Sequence, residues 1–267
     1  MEEDLGPGDL TSELLVPPEQ EGAAWIVARQ DLVIAGFPLV EMVLRRAGTG
    51  LRLQCMVAEG AVAAPGTRLA RISGSVLQLL RIERVMLNFL QRCCGVATLT
   101  RRFVECCSGS AAVLDTRKTL PGWRAIDKYA VQAGGGRNHR MGLFDGIMIK
   151  DNHIAAAGGI GNALRIIKAR APHLVRCEVE ADTLAQVREA VAGGADVILL
   201  DNMTDEQIQD AVTIIGGRCL VEVSGGIGME RLPRLATLGV DMISAGAITH
   251  QAQAVDIGLD YESGELP

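Results

Sequence analysis

After Gly109 the sequence alternates between short apolar runs that end in polar residues and amphipathic segments with helical spacing. The apolar runs are SAAVLDTRK, GIMIKDN, RCEVEAD, DVILLDN, CLVEVSGG and DMISAGA, and the segments between them include NALRIIKARAP, TLAQVREAVAGG, DEQIQDAVTIIGG and MERLPRLATLG. Strands that alternate with helices predict a parallel sheet. Six such units indicate either an α/β barrel or an open doubly wound sheet. The barrel is favoured because every strand ends in polar residues, whereas an open sheet gathers its ligand groups at one switch point.

The residues before this alternating region follow a different pattern. Residues 1–20 predict an irregular segment, and the residues up to Ser75 predict short strands with one amphipathic helix, VEMVLRRAG, that ends at Gly48. They form a small α+β unit. From Val76 the apolar spacing becomes helical, and Gly95 is expected to divide this helix.

Composition excludes several classes of protein. The 267 residues are 48% hydrophobic and 22% charged with a net charge of −6, which is typical of a soluble globular protein. The acidic balance without a basic tail argues against nucleic-acid binding, and no apolar run is long enough for a membrane span. Seven cysteines without a CxxC pair are expected to be buried thiols in a reducing cytoplasm.

The stretch from Asp115 to His153 carries seven lysines and arginines but only four acids. The positive charges lie beside glycines and two histidines, and apolar runs precede them at both ends. Such a cluster is typical of a pocket for a strongly anionic small molecule. The alternative is a solvated basic loop.

The carboxyl ends of strands in a barrel meet around one opening, so the polar residues at these ends form the candidate site. From the first strand to the sixth, these residues are Asp115, Thr116, Arg117 and Lys118; Lys150, Asp151, Asn152 and His153; Glu178 and Glu180; Asp201 and Asn202; Glu222, Ser224, Gly225 and Gly226; and Gly246, Thr249 and His250.

Glycine-rich turns after the last two strands predict phosphate binding. Ser224, Gly225 and Gly226 follow one strand, and Gly246 follows the next. Backbone N–H groups of such turns approach phosphate oxygens closely. The alternative is that each glycine only permits a tight turn.

Two carboxylates on neighbouring strands, Glu180 and Asp201, form the candidate Mg²⁺ site, because Mg²⁺ prefers oxygen ligands and is often held jointly with substrate phosphates. The alternative is that they form salt bridges to Lys118 and Lys150. Both arrangements are compatible if the metal is present only with substrate.

Several motifs together carry a family resemblance. DTRKT-x-PG, KYAV-x-x-GGG-x-NHR-x-GL and IKDNH occur in this order, with EDLGPGDLTSELL near the start and CEVEAD, LLDN, VEVSGGI and SAGAITH later. The chain resembles the quinolinate phosphoribosyltransferases, the carboxylating nicotinate-nucleotide pyrophosphorylases of NAD synthesis, over essentially its whole length. Family chains usually begin with a further helix before the EDLG segment, whereas this sequence begins at that segment.

The resemblance implies a small N-terminal α/β sandwich and an incomplete, seven-stranded α/β barrel. We place the sandwich with its connecting helices in residues 1–108 and the barrel in 109–267, with a C-terminal tail that returns to the first domain. The resemblance also implies a homodimer or dimer-based hexamer whose active sites are completed by the partner subunit.

The resemblance also implies a role for each candidate residue. Quinolinate would be bound by Thr116, Arg117, His139 and Arg140, with Arg84 supplied across the dimer. Lys118 and Lys150 would lie between the two substrates, and Glu180 and Asp201 would face the ribose and Mg²⁺. The 5′-phosphate would be held by Ser224, Gly225, Gly226, Gly246, Ala247 and Ile248, with His250 nearby. The other charges of the basic stretch, Arg124, Lys128 and Arg137, would be surface or interface charges.

The implied reaction joins quinolinate to phosphoribosyl pyrophosphate and releases pyrophosphate and CO₂. Three alternatives stay open from the sequence. They are a paralogous family of the same fold associated with molybdenum-transport operons, a phosphosugar-binding barrel enzyme, and a non-enzymatic binding protein.

Overall fold

The computed structural model describes residues 2–262, which divide into two compact units. Within these residues, one unit comprises 2–99, 133–135 and 252–262, and the other comprises 100–132 and 136–251. The chain therefore leaves the first unit after residue 99 and returns to it at residues 133–135 and again from residue 252.

The N-terminal elements are α1 (Glu2–Leu5), α2 (Leu10–Leu15), β1 (Glu21–Ala28), β2 (Leu32–Val33), α3 (Phe37–Ala47), β3 (Arg52–Cys55), β4 (Val62–Ala63), β5 (Arg68–Ser75) and α4 (Val76–Cys106). The alternating elements are β6 (Ala112–Leu114), α5 (Arg124–Ala133), β7 (Ile147–Ile149), α6 (Asp151–Ala157), α7 (Ile160–Arg170), β8 (Cys177–Ala181), α8 (Leu184–Gly193), β9 (Val197–Asp201), α9 (Asp205–Ile215), β10 (Leu220–Ser224), α10 (Leu232–Leu235), β11 (Met242–Ser244) and α11 (Ala247–His250). Strand β12 (Ile257–Tyr261) ends the described chain.

The first unit is built on an antiparallel sheet in the order β12-β1-β5-β3. Its core joins Ile26 and Ile72 of the sheet to Phe37 of α3 and Leu79 of α4, all nearly inaccessible to water. Burying a large aliphatic or aromatic side chain contributes about 1.5–3 kcal/mol. These contacts confirm the small N-terminal α/β unit.

Helices α1 and α2 correct the prediction that residues 1–20 are irregular. Asp9 caps α2 because its side chain accepts a hydrogen bond from the Ser12 backbone N–H at 3.0 Å, which satisfies a donor that the helix itself leaves unpaired. The Gly and Pro residues on either side of α2 indicated an irregular segment, whereas the cap at Asp9 allows a short helix between them.

The predicted division of the long helix at Gly95 is wrong, because α4 runs without interruption through that position. A side chain at residue 95 would overlap the carbonyl oxygen of Gln253. The glycine therefore permits close approach of the segment before β12 to α4, and it does not end the helix.

The second unit contains a parallel sheet in the order β6-β11-β10-β9-β8-β7. This sheet confirms all six predicted strands. An isolated parallel bridge between Leu114 and Arg137 places a seventh short extended segment beside β6. Side chains from or directly after all six strands, including the terminal strands β6 and β7, line one pocket. The sheet therefore curves around that pocket, as expected for an incomplete barrel.

The helices of the second unit begin and end at the signals that the sequence supplies. Thr183 and Thr204 cap α8 and α9 with capping boxes, and Gly194 and Gly216 end these helices in the left-handed conformation. Helix α10 is shorter than the amphipathic run predicted there. Within residues 2–262, no helix combines the length and apolar character that crossing a lipid bilayer requires.

Substituting Gly95 by Ala tests the close approach to Gln253. Alanine favours a helix over glycine by about 1 kcal/mol, but overlap with the Gln253 carbonyl would cost about 1–3 kcal/mol. We expect a net loss in the free energy of unfolding, measured by urea denaturation. The control is Gly161→Ala in α7, where the nearest atom lies 3.5 Å from the added carbon, and which should be neutral or stabilising. A stabilised Gly95→Ala variant would contradict the close approach.

Candidate active site

A pocket lies at the carboxyl ends of the parallel strands, where the sequence predicted it. Ten of the predicted site residues line it, namely Thr116, Arg117, Lys118, His139, Arg140, Lys150, Glu180, Asp201, Glu222 and Ser224. The other lining residues are Met148, Leu199 and Ser244. The pocket therefore joins a group of cationic side chains to a group of carboxylates.

The carboxylate side of the pocket is formed by β8 and β9. The Lys150 ammonium donates to a Glu180 oxygen at 2.7 Å, which confirms the salt bridge considered as the alternative to metal binding. Oxygen atoms of Glu180, Asp182 and Asp201 lie within 4.8 Å of one another. Burial, and then the charge of Asp182, raise the pKa of Asp201. This side of the pocket therefore favours a bound cation.

The Ser224 turn is fitted closely against the end of β9. The Asn202 N–H donates to the Ser224 carbonyl at 3.1 Å, and a side chain at Gly225 would overlap the Asn202 amide. Gly225 also has a φ of +90°, which favours glycine. Phosphate binding and tight-turn geometry were the two explanations for these glycines. The structure shows that the turn alone requires glycine at position 225.

Gly246 lies against the Lys118 side chain. A carbon added at Gly246 would be 2.8 Å from Lys118 Cδ, and the Thr249 hydroxyl donates to the Lys118 carbonyl at 2.8 Å. Helix α11 therefore supports the loop that carries Lys118. Ile248 is fully buried and His250 is exposed, so at position 248 the backbone, and not the side chain, is available to a ligand.

A buried ion pair lies directly behind the pocket. Lys128, which is 1% exposed, pairs with Asp115, which is 0% exposed. Lys128 also donates to the His139 carbonyl at 2.9 Å, and Asp115 accepts from the His139 N–H at 2.8 Å. The expectation that Lys128 is a surface or interface charge is therefore wrong. Its position within α5 gave no sequence signal for burial.

Arg124 also differs from the expectation of a surface or interface charge. Its guanidinium donates to the Thr119 hydroxyl at 3.0 Å and to the carbonyls of Met141 and Arg117 at 3.2 and 3.3 Å. Arg124 therefore stabilises the loop that follows β6 through these hydrogen bonds. Arg137, in contrast, is exposed as expected.

Both ring nitrogens of His139 are engaged by the protein. The Arg140 N–H donates to Nδ1 at 2.6 Å, and Nε2 lies 3.2 Å from Glu178 Oε2. Because Nδ1 accepts a hydrogen bond, the ring proton belongs on Nε2, facing Glu178. Glu222 Oε1 lies 3.8 Å from the same nitrogen. The barrel interior therefore holds two carboxylates beside one imidazole.

Arg140 is fixed by the protein close to another cation. Its guanidinium donates to the Gly146 carbonyl at 3.1 Å and contacts Met148 Sδ at 3.7 Å. Burial, and then the charge of Arg117, lower the pKa of Arg140. A bound anion would relieve this repulsion.

The remaining predicted residues lie outside the lining of this pocket. Gly225 and Gly226 follow Ser224 in the chain, and Gly246, Ala247, Ile248 and His250 follow the pocket residue Ser244. Arg84 is exposed on α4 in the first unit, and its predicted role concerns a second copy of the chain. His153, at the start of α6, has its Nδ1 turned back to the Lys150 N–H at 3.0 Å.

The fold and the pocket are those of an α/β-barrel protein. The pocket lies at the carboxyl ends of the strands and suits a small polyanion. The family models for the N-terminal and C-terminal domains of quinolinate phosphoribosyl transferase match residues 9–94 and 96–260. The chain belongs to the quinolinate phosphoribosyl transferase family.

Relatives in bacteria and plants match nearly the whole chain. The probable nicotinate-nucleotide pyrophosphorylase [carboxylating] of Bacillus subtilis is 42% identical, covering 97% of this chain and 89% of the relative. The chloroplastic nicotinate-nucleotide pyrophosphorylase [carboxylating] of Arabidopsis thaliana is 40% identical, covering 98% and 80%. The solved structure of NadC from Streptococcus pyogenes is 39% identical with a TM-score of 0.93, covering 97% and 93%.

Substituting Lys128 by Met tests whether the buried ion pair supports the site. Leaving Asp115 buried without its partner should reduce the free energy of unfolding by about 3–5 kcal/mol, measured by urea denaturation. Adding Asp115→Asn to this variant should recover much of the loss, because no unpaired charge remains. Arg137→Met, at an exposed position, should change stability by less than about 0.5 kcal/mol. A Lys128→Met variant as stable as Arg137→Met would contradict the burial of this pair.

Proposed function

We propose that this chain transfers the phosphoribosyl group from phosphoribosyl pyrophosphate to quinolinate with decarboxylation, giving nicotinate mononucleotide, pyrophosphate and CO₂ in NAD biosynthesis. One observation carries the proposal. A single pocket joins an arginine pair, a lysine pair and a carboxylate pair, which are Arg117 and Arg140, Lys118 and Lys150, and Glu180 and Asp201. The names of the relatives support the same activity.

Arg117 and Arg140 bind the two carboxylates of quinolinate. Guanidinium groups bind carboxylates with paired, charge-assisted hydrogen bonds, and the fixed position of Arg140 orients the ring. This orientation matters because the ring nitrogen is a weak nucleophile that must face the ribose carbon. Thr116 and His139 line the same pocket and are further proposed contacts of quinolinate.

Lys118 and Lys150 offset the negative charge that grows on the departing pyrophosphate. Glu180 and Asp201 hold the ribose hydroxyls and stabilise the positive charge that develops on the sugar as its bond to pyrophosphate breaks. The Lys150–Glu180 salt bridge keeps these two groups in position before substrate binds. Substrate then competes for both groups.

The 5′-phosphate is bound at the ends of β10 and β11. The proposed ligands are Ser224, Gly225, Gly226, Gly246, Ala247 and Ile248, with His250 nearby. Backbone N–H groups supply most of these contacts, since the glycines have no side chain and that of Ile248 is buried.

Glu180 and Asp201 fit a Mg²⁺ ion that is shared with the substrate pyrophosphate. Their oxygens and those of Asp182 are close enough to share one cation. Burial, and then the like charge of Asp182, raise the pKa of Asp201, and a cation would offset both effects. When bound, Mg²⁺ neutralises charge on the pyrophosphate oxygens.

We also propose that the protein is a homodimer or a dimer-based hexamer in which Arg84 of one copy binds quinolinate in the site of the other. The exposure of Arg84 on α4 supports this role. A reducing cytoplasm is the proposed location, because all seven cysteines are free thiols and such thiols persist where reductants are present.

Incubation with quinolinate, phosphoribosyl pyrophosphate and Mg²⁺ tests the function. We expect equal amounts of pyrophosphate, CO₂ and nicotinate mononucleotide, and loss of all three when EDTA removes the metal. Nicotinate in place of quinolinate should release no pyrophosphate, because the second carboxylate is needed for binding. An absence of products from the complete mixture would refute the proposed reaction.

Arg117→Ala should weaken quinolinate binding. Loss of one charge-assisted pair should cost about 2–5 kcal/mol of transition-state stabilisation. The value of kcat/KM for quinolinate should fall accordingly, with a smaller change in KM for phosphoribosyl pyrophosphate. Arg137→Ala, exposed in the same basic stretch, serves as the control and should retain wild-type kinetics. An Arg117→Ala variant with unchanged kcat/KM would show that Arg117 does not bind quinolinate.

Mixing two inactive variants tests the shared site. Arg84→Ala and Lys118→Ala homodimers should each be nearly inactive, because each lacks one necessary group in every site. After subunit exchange, the mixed dimer has one site with both groups intact, so activity should return. If exchange is verified by mass and activity stays absent, Arg84 does not act across subunits.

A further inference from the structure

The final step of the proposed reaction needs a proton, and the present inference rests on that proposed function. Once the ring nitrogen is bonded to the ribose, the ring is cationic. The bond from the adjacent ring carbon to its carboxylate then breaks, CO₂ leaves, and the electron pair stays on the carbon. A proton must reach that carbon to complete nicotinate mononucleotide. In the proposed function, the arginines, the lysines, Glu180 and Asp201 bind substrate and offset charge, and the donor of this proton is not specified.

The barrel interior contains two carboxylates that have no role in the proposed function. Glu222 of β10 is 2% exposed and Glu178 of β8 is 7% exposed. Their oxygens and the His139 ring lie within 4.8 Å of one another. Within residues 2–262, the Oε1 atoms of both glutamates are buried without a hydrogen-bond partner.

Ionisation of Glu222 is disfavoured here, because burial removes the hydration of its carboxylate and a second carboxylate lies beside it. A proton on Glu222 removes both costs. Burial, and then the neighbouring charge of Glu178, raise the pKa of Glu222 to about 7. The other groups that face Glu222 are the His139 ring and the Ser244 hydroxyl of β11.

Of the two carboxylates, Glu222 is the one that reaches the substrate pocket. It lines the pocket together with Arg117, His139 and Arg140, where the dicarboxylate ring is proposed to bind. Glu178 lies behind it, where Nε2 of His139 contacts it at 3.2 Å. A neutral Glu222 also suits this place, since an ionised carboxylate would repel a dianionic substrate.

We propose that Glu222 is the acid that protonates the ring carbon as CO₂ leaves, so that proton transfer and loss of CO₂ are one step, and that Glu178 and His139 position it. The O–H bond of the Glu222 carboxyl breaks, its proton joins the electron pair left on the carbon, and a C–H bond forms. Glu222 becomes a carboxylate and regains a proton from water when product departs. His139 orients the glutamates because both its ring nitrogens are held within the protein.

Comparing pyrophosphate and CO₂ release in Glu222→Gln tests this assignment. The substitution keeps the shape and replaces a protonated carboxyl by a neutral amide, so the fold should be retained. In single turnovers with quinolinate labelled at the carboxylate next to nitrogen, pyrophosphate release should stay near the wild-type rate. CO₂ release should fall on the order of 10²-fold, and the dicarboxylate mononucleotide should accumulate. Equal slowing of both products, or no slowing, overturns the proposal.

Glu178→Gln tests the positioning role through the pH dependence of CO₂ release. Without the Glu178 charge, the pKa of Glu222 should fall, so Glu222 loses its proton at lower pH. The decline of CO₂ release with rising pH should therefore begin at lower pH than in wild type. An unchanged profile removes Glu178 from the proposed pair.

Two controls separate the possible failures. Glu206→Gln, on the exposed first turn of α9, should leave both products unchanged. If wild type releases no pyrophosphate, the proposed function fails. If wild type forms product and Glu222→Gln matches it, only the present inference fails.

A metal-binding measurement tests another use of the same groups. His139, Glu178 and Glu222 are spaced closely enough to hold a metal. Stoichiometric transition metal that survives EDTA in wild type and is lost in Glu222→Gln would also overturn the proton assignment.

Discussion

The buried pair of Asp115 and Lys128 is the interaction on which the pocket depends. Asp115 follows β6, Lys128 lies in α5, and both bind the backbone of His139. One charge pair therefore fixes three separate segments of chain. Burial of two charges is costly without close pairing and additional hydrogen bonds. The His139 backbone supplies these bonds, so the segment before Arg140 has little freedom to move.

The parallel sheet converts this local order into a site. Every strand points its carboxyl end toward the same opening, so residues distant in sequence, such as Lys118 and Asp201, line one pocket. Cationic groups from β6 and β7 face carboxylates from β8 and β9. This separation of charge matches a reaction in which a polyanion binds beside a sugar that becomes positively charged.

The barrel interior has a second electrostatic function in our account. Glu178 and Glu222 lie where apolar residues would give a more stable core, since buried carboxylates without full hydrogen bonding are costly. A proton on Glu222 lowers this cost and keeps an acid beside the ring-binding arginines. Stability lost in the barrel centre would thus support the last chemical step.

The sequence by itself determined the strand–helix alternation, the six strands and the residues at their ends, because local periodicity and strand polarity need no knowledge of distant contacts. Tertiary structure decided the rest. Burial of Lys128 depends on Asp115, thirteen positions away in the segment after β6, and the need for glycine at position 95 within α4 depends on the approach of Gln253. Glu222 was visible as a strand-end acid, but only the fold placed it beside Glu178. Such pairings arise from packing between elements, which no local pattern records.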